Sequence, residues 1–337
     1  MEENKTKVAI NGFGRIGRLF YRSALEHSAP FEVVAVNNPG WDEKTYEHLF
    51  KYDTAYGIFN QKPTAKLLGE REPEKLPWRE MKIDIVVECT GIFVDKKSAS
   101  KHLKAGAKKV IISAPSEDAD AVIILGVNEN DYKPARHKVI SMASCTTNCL
   151  APVVKVLQEK FGIEKGFMTT IHSYTADQNL QDGSHKDLRR ARAAAENIVP
   201  TKTGAAKAIF QVIKGLENKM DGLAMRVPNK TGSLIDLVCL VKRKTSVQEV
   251  NKAFEEYAEK MSAKGGSAYG GKGILAVTDE PIVSSDIVKN ENSSIVDLSL
   301  TRVFGGNLVK VISWYDNEWA YATRLVELVN YISNKGR

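Results

Sequence analysis

Apolar and polar positions follow a repeating scheme through the first 140 residues: short runs rich in β-branched residues alternate with longer stretches of helical spacing. The runs are KVAI at 7–10, EVVAV at 32–36, IDIVVE at 83–88 and KKVII at 108–112. Continuous apolar runs of this length suit strands buried on both faces of a parallel sheet, with crossover helices covering each side. RIGRLFYRSALEH after the first run and KKSASKHLKAGA after Glu88 supply such crossovers, which predicts right-handed βαβ units. A helix rich in aliphatic residues is expected from Leu150 to about Phe161. Beyond it the pattern changes to longer apolar strands, GFMTTIHSYT, DGLAMRV, GSLIDLVCLV and LVKVISWY, separated by helical stretches such as TSVQEVNKAFEEYAEKM.

The fold class expected is therefore α/β: a parallel-sheet domain, which Gly12, Gly14 and Gly17 directly after its first strand make a Rossmann-type dinucleotide-binding one, followed by an α+β domain with a mostly antiparallel sheet. The boundary falls near residue 144, giving domains of 1–144 and 145–317. EWAYATRLVELVNYI reads as a closing amphipathic helix at about 318–337. The pattern does not name its packing partner; the expectation is a return to the first domain. KGGSAYGGKG at 264–273 reads as a loop.

A length of 337 residues suits two domains, and 43% apolar with 26% charged residues suits a chain folded throughout. The net charge of +7 favours anionic ligands, phosphates and nucleic acid alike. Four cysteines, at 89, 145, 149 and 239, do not resemble a disulfide framework, so a reducing compartment is expected. MEENKTKVAINGFG runs into a strand without a secretory h-region, and no run of about 18 apolar residues occurs. A cytoplasmic protein with no membrane partner is the expectation.

Gly12, Gly14 and Gly17 form G-x-G-x-x-G directly after the first strand and before a helical pattern. Without side chains, such glycines permit a tight turn, close approach of a pyrophosphate and close helix–strand packing. The same three glycines are compatible with a tight turn alone. NAD-binding folds usually carry an acidic residue at the end of the second strand for the ribose 2′-hydroxyl. Here Asn37 and Asn38 stand there, followed by Pro39 and Gly40, with Asp42 near enough to reach back. NAD and NADP both remain open.

Cys145, within ASCTTNC, sits where a strand gives way to a helix, a position that lowers a thiol pKa. His172 lies on a later strand as a candidate base. A buried inert thiol is the alternative, and it is the reading given to Cys149. His27, His48, His102, His137 and His185 stand among charged neighbours and read as surface or helix-face residues. No ligand spacing for a metal is present, so no metal site is expected.

NGFGRIGR at 11–18, SCTTNC at 144–149, TGAAKA at 203–208 and WYDNEW at 314–319 together resemble the phosphorylating glyceraldehyde-3-phosphate dehydrogenase family, in order over nearly the whole chain. The resemblance implies oxidation of a small phosphorylated aldehyde with inorganic phosphate, through a Cys145 hemithioacetal and thioester, with His172 moving the proton. It assigns the substrate phosphate to Thr175 and Arg226, and the attacking phosphate to Ser144, Thr146, Thr203 and Gly204. Asn11, Gly12, Gly14, Arg15, Ile16 and Gly17 would meet the cofactor's pyrophosphate region, Thr90, Gly91, Phe93 and Ser113 would line the rest of its cleft, and Asn317 would hold the nicotinamide carboxamide. A homotetramer with a place in glycolysis or gluconeogenesis is implied as well. The basic loop HKDLRRARAA at 185–194 resembles the family's interface and cofactor loop more than a nucleic-acid patch.

Departures from the family pattern concentrate at the cofactor. Asn38 stands where NAD-specific members carry Asp, and Gly183-Ser184 where they carry Leu-Pro. Asn38 and Ser184 are similar to members that accept NADP, so NAD or NADP is expected, with NADP used well. The segment from Phe59 to Pro77 is shorter than usual, and Met142 and NKTGS at 229–233 are atypical without an evident function. The rival readings are erythrose-4-phosphate dehydrogenase, and a scaffold or nucleic-acid-binding protein. Thr175 with an intact TGAAKA argues against the first; SCTTNC, His172 and the glycine turn together argue against the second.

Overall fold

The β-branched runs of the first part form strands and the intervening patterns form helices, in a computed structural model that describes residues 5–263 and 273–335. All but the last residue of the glycine-rich stretch at 264–273 lies outside these described residues. By spatial contact the chain divides into two units, one running to Ser144 and resumed from Tyr321, the other Cys145–Ala320.

The first unit follows the order β1 (Thr6–Asn11), α1 (Arg15–Glu26), β2 (Phe31–Asn37), α2 (Glu43–Lys51), β3 (Tyr52–Asp53), β4 (Gly57–Ile58) and β5 (Lys66–Leu68). It continues with β6 (Ile85–Glu88), the one-turn helices α3 (Lys96–Ala99) and α4 (Lys101–Lys104), β7 (Lys109–Ile112), β8 (Ala121–Val122) and β9 (Val139–Ser141). Among the described residues seven strands make one parallel sheet in the order β5-β2-β1-β6-β7-β9-β8. Every residue of β6 is buried, as a strand covered on both faces must be. Ala9, Ala35, Trp78 and Val86 pack in one core cluster, Ala99, Val110, Ile112 and Val139 in another.

The second unit opens with α5 (Cys145–Phe161), then β10 (Ile163–Ser173), β11 (Val199–Lys202), α6 (Ala205–Val212), β12 (Met220–Val227), β13 (Ser233–Val241) and α7 (Val247–Ala263). After it come β14 (Leu275–Thr278), β15 (Ser294–Asp297), β16 (Arg302–Phe304) and β17 (Leu308–Tyr315); the closing helix α8 (Trp319–Lys335) begins in this unit and belongs to the first from Tyr321 onward. The described strands form a mixed sheet in the order β11-β12-β10-β13-β17-β15-β14, with β16 on β17. Its pairs are antiparallel except β10 with β12 and β14 with β15. The parallel pairing sets His172 opposite Arg226, and the β13–β17 register sets Ser233 opposite Tyr315.

Three expectations need correction. α5 starts at Cys145, not Leu150, because the first turn of a helix needs no intrahelical N–H partners and small polar residues serve there. α8 is not amphipathic: its residues are buried from Trp319 through Asn330, with Arg324 and Glu327 paired at 2.7 Å inside. His102 is fully buried. Its place three residues after the buried Ala99 puts it on the inward side of its helical stretch, whatever the charge of its neighbours.

Candidate active site

In the first unit, strand order runs outward in both directions from β1, where open parallel sheets leave a crevice at their carboxyl ends. Gly12 follows β1 with φ +92°, and a Cβ there would lie 2.7 Å from the Thr90 backbone nitrogen. A Cβ at Gly17 would lie 2.2 Å from the Gly12 carbonyl oxygen. Gly14 is different, since a Cβ there would meet nothing within 4 Å. It caps α1 without any side-chain hydrogen bond. An open cradle at an uncapped helix start fits the pyrophosphate of a dinucleotide.

Arg15 and Ile16 begin α1, both half-buried. The Arg15 guanidinium is paired with Asp53. Burial alone would raise the Asp53 carboxyl, but Arg15 and the backbone N–H groups of Ala55 and Tyr56 outweigh it and hold the carboxyl below its ordinary value. Asn38 Oδ1 accepts from the Phe13 N–H at 2.8 Å, and Asn37 bonds Asn11 at 2.7 Å. Asp42 caps α2 through the Thr45 N–H at 2.8 Å. Thr90, Gly91 and Phe93 follow β6, Gly91 with φ +70°, and the Ser113 N–H after β7 donates to the Glu88 carbonyl at 2.9 Å.

The thiol centre begins with a strained turn. Ala143 has φ +55°, which costs an L-residue roughly 1–2 kcal/mol. Its N–H donates to Ser141 Oγ at 2.9 Å, and its carbonyl accepts from the Tyr321 hydroxyl at 2.8 Å. The atypical Met142 is fully buried beside it. The turn leads β9 into α5, so half-buried Cys145 is the first helical residue.

Cys145 Sγ lies 3.4 Å from His172 Nε2. His172 Nδ1 lies 2.7 Å from the Ser173 carbonyl oxygen and 3.0 Å from Arg226 Nη1. A carbonyl only accepts, so the shorter contact sets the proton on Nδ1 and leaves the Nε2 lone pair facing the thiol. Burial, then the charge of Arg226, lowers the His172 pKa to about 3. The thiol departs from expectation. Burial pushes Cys145 above its ordinary value, and Arg226 and the Thr146 N–H at the helix start only partly oppose it. Burial thus disfavours the charged form of both partners. Cys149 is fully buried near Ser294 and Ser313, its thiol pushed up to about 12.

Arg226 Nη1 also reaches the Ser173 carbonyl at 3.1 Å and Thr175 Oγ1 at 3.3 Å, which brings Thr175 and Arg226 together beside His172. Arg226 Nε is buried without a protein hydrogen bond among the described residues. Thr203 and Gly204 stand at the start of α6, which packs on α5. A Cβ on Gly204 would meet open space. Among the described residues no hydrogen bond joins these two to Cys145 or Arg226. Ser144, half-buried, precedes the thiol.

Thr146 is turned inward. Thr170 donates to the Leu234 carbonyl at 3.0 Å, so the 2.9 Å contact with Tyr315 needs the tyrosine as donor. The 2.8 Å contact between Tyr315 and Thr146 then needs Thr146 as donor. Tyr315 is thus a site residue to which the motif reading gave no role, although alternation in LVKVISWY puts it on the buried face with Val311 and Ser313. The NKTGS segment also acquires an account. Asn317 Oδ1 accepts from the Gly232 N–H at 3.1 Å and the hydroxyls of Ser233 and Ser173 at 2.9 and 2.8 Å. Gly232 can only donate there, so the amide oxygen points inward and the NH₂ is left for another acceptor. Ser184 is exposed on a loop closed by Asn179, whose Nδ2 donates to the Ser184 carbonyl at 3.3 Å.

Among the described residues no helix is long and apolar enough to cross a membrane, and no group of three or more His, Cys, Asp or Glu is placed to hold a metal ion. Family models match the chain as "Glyceraldehyde 3-phosphate dehydrogenase, NAD binding domain" over residues 6–96 and "Glyceraldehyde 3-phosphate dehydrogenase, C-terminal domain" over 144–317. Glyceraldehyde-3-phosphate dehydrogenase 2 of Streptomyces avermitilis and the Streptomyces coelicolor enzyme are each 52% identical, covering 98% of this chain and 99% of their own length. The chloroplastic GAPA1 enzyme of Arabidopsis thaliana is 51% identical over 98% of this chain and 85% of its own.

Proposed function

The chain belongs to the glyceraldehyde-3-phosphate dehydrogenase family, and from that premise we propose that Cys145 and His172 carry its chemistry. Its activity is that of the family: D-glyceraldehyde 3-phosphate is oxidised and phosphorylated to 1,3-bisphosphoglycerate with reduction of a nicotinamide dinucleotide. The observation that supports the residue roles is the 3.4 Å approach of Sγ to an Nε2 whose partner nitrogen is committed to Ser173.

Cys145 Sγ attacks the aldehyde carbon while His172 Nε2 takes the thiol proton. A buried pair needs that transfer, because burial disfavours the separated charges. The imidazolium and the Cys145 N–H hold the hemithioacetal oxygen. His172 keeps the proton as the thioester carbonyl forms, and NAD or NADP, when bound, supplies the hydride acceptor. Phosphate then attacks the thioester carbon, the C–S bond breaks, and the Cys145 thiolate leaves. Thr175 and Arg226 take the substrate phosphate. Ser144, Thr203 and Gly204 take the attacking phosphate, together with the backbone N–H of Thr146, whose hydroxyl is committed to Tyr315.

Asn11, Gly12, Gly14, Arg15, Ile16 and Gly17 meet the pyrophosphate, with Arg15 acting through its backbone because Asp53 holds its side chain. Thr90, Gly91, Phe93 and Ser113 line the cleft, and the Asn317 NH₂ bonds the carboxamide oxygen. NADP is used well alongside NAD. Asn38 carries no charge to repel a 2′-phosphate, Asp42 is engaged in capping α2, and the Ser184 hydroxyl is exposed. The enzyme is a cytoplasmic homotetramer of glycolysis or gluconeogenesis. Exposed Leu180, Leu188 and Ile198 on the Ser184 segment support a subunit contact there. Arg190 and Arg192 in that segment are paired with Asp177 and Asp182, which leaves less free charge for nucleic acid.

Initial rates with glyceraldehyde 3-phosphate and phosphate, run in parallel with NAD and NADP, test this reading. A phosphate-dependent rate with kcat/KM of the same order for both cofactors is expected. A large preference for NAD removes the roles of Asn38 and Ser184.

A further inference from the structure

Under the glycine turn lies a buried polar cluster of which the mechanism uses only Asn11: Asn11, Asn37, Glu88 and His102, each no more than 2% exposed, against the fully buried Trp78. Trp78 Nε1 donates to His102 Nδ1 at 3.0 Å. An indole N–H only donates, so the imidazole carries its proton on Nε2, which donates to Glu88 Oε2 at 3.0 Å. Asn11 Nδ2 donates to the same oxygen at 2.6 Å, and Asn37 Nδ2 fixes the Asn11 amide by donating to its oxygen at 2.7 Å. The other oxygen, Oε1, accepts the Thr90 N–H at 2.7 Å and the Thr90 hydroxyl. The Thr90 oxygen accepts in turn from the Ile92 N–H at 3.0 Å.

One carboxylate thus ties together the ends of β1, β2 and β6 and the turn at 90–92, the two donors to Oε2, Asn11 Nδ2 and His102 Nε2, lying 3.4 Å apart. His102 also meets the Phe93 ring edge-on, with centroids 6.3 Å apart. Thr90 is the residue whose backbone a Gly12 Cβ would strike. Burying a carboxylate is costly, and a close-packed apolar filling of the same volume would serve stability as well or better. What an apolar filling would not do is hold a turn without regular secondary structure in one hydrogen-bonded shape.

We propose that Glu88 and His102 are positioning residues for the dinucleotide, fixing the 90–93 turn against which the cofactor binds and leaving the chemistry at Cys145 untouched. This rests on the reading of Gly12–Gly17 and Thr90–Phe93 as the dinucleotide cleft. Both Glu88 oxygens face only donors, so in Glu88→Gln the NH₂ confronts donors whichever way the amide turns.

The test is Glu88→Gln, measured as Kd for NAD and NADP by quenching of tryptophan fluorescence and as steady-state KM and kcat. Kd and KM for the dinucleotide should rise about tenfold, while kcat and the KM for glyceraldehyde 3-phosphate stay within about twofold. His102→Gln, whose amide can accept from Trp78 and donate to Glu88, should keep the affinity that His102→Leu loses. Folded Glu88→Gln with parental dinucleotide KM, or with its loss in kcat, overturns the proposal. If Glu88→Gln does not fold, Thr90→Val removes one donor to Oε1, and an unchanged dinucleotide KM there overturns it equally. Parent protein that binds neither dinucleotide overturns the cleft reading itself; parent that binds, with unaltered variants, overturns only the brace.

Discussion

The dinucleotide turn and the thiol centre are built in opposite ways. The turn depends on side chains that are missing at Gly12, Gly14 and Gly17, within six consecutive residues, with one remote neighbour, the Thr90 backbone beside Gly12. The thiol centre depends on side chains that are present at 145, 172, 226 and 315, and strand register brings them together. A turn made of absences fails sterically when an atom is added. A centre made of presences fails chemically when one is removed, with the fold intact.

Cys145→Ser should test the second half of that contrast most severely. A hydroxyl is the poorer nucleophile here, and kcat should fall by about 10⁴-fold or more, with dinucleotide affinity by titration unchanged. A rate within a hundredfold of the parent would mean that the centre is not chemical in this sense. His172→Asn comes next. Loss of the base should lower kcat by about 10²–10⁴-fold and slow alkylation of Cys145 by iodoacetamide, and unaltered alkylation would detach His172 from the thiol.

The turn is tested by a pair of additions. Gly17→Ala drives a methyl into the Gly12 carbonyl and should lower stability by roughly 1–3 kcal/mol in denaturant unfolding. Gly14→Ala adds the same methyl to open space, so it should leave Tm in place while weakening dinucleotide binding. Equal loss of stability in both variants would refute the assignment of open and closed positions.

The smallest effect concerns Asp53, which anchors Arg15 beside the turn. Its folded pKa is depressed, so its stabilisation is present above the ordinary carboxylate value and fades as pH falls through the depressed one. Asp53→Asn should therefore cost about 1 kcal/mol at neutral pH, the difference from the parent closing below about pH 4. A difference independent of pH would assign Asp53 a purely packing role.

How much was legible follows the same contrast. The parallel-sheet strands and the glycine turn could be read directly, because period, burial on both faces and steric freedom are properties of neighbouring residues. SCTTNC pointed to Cys145, and a histidine on a later strand to His172, but not to their separation. His102 was misread as a surface residue because its charged neighbours outweighed its spacing from Ala99. Tyr315, inside WYDNEW, had no role and the NKTGS segment stood out as atypical without a function, because their partners, Thr146 and Asn317, are remote in the chain.

The sequence by itself determined the fold class and the family, since each is carried by contiguous motifs and periodicities. Only the tertiary structure decided the burial that disfavours charge on the thiol–imidazole pair, the inward donation of Thr146 and the orientation of the Asn317 amide. Those depend on burial and on which groups across the sheet can only donate or only accept. A chain segment cannot specify either alone, because both are set by atoms that other segments bring to it.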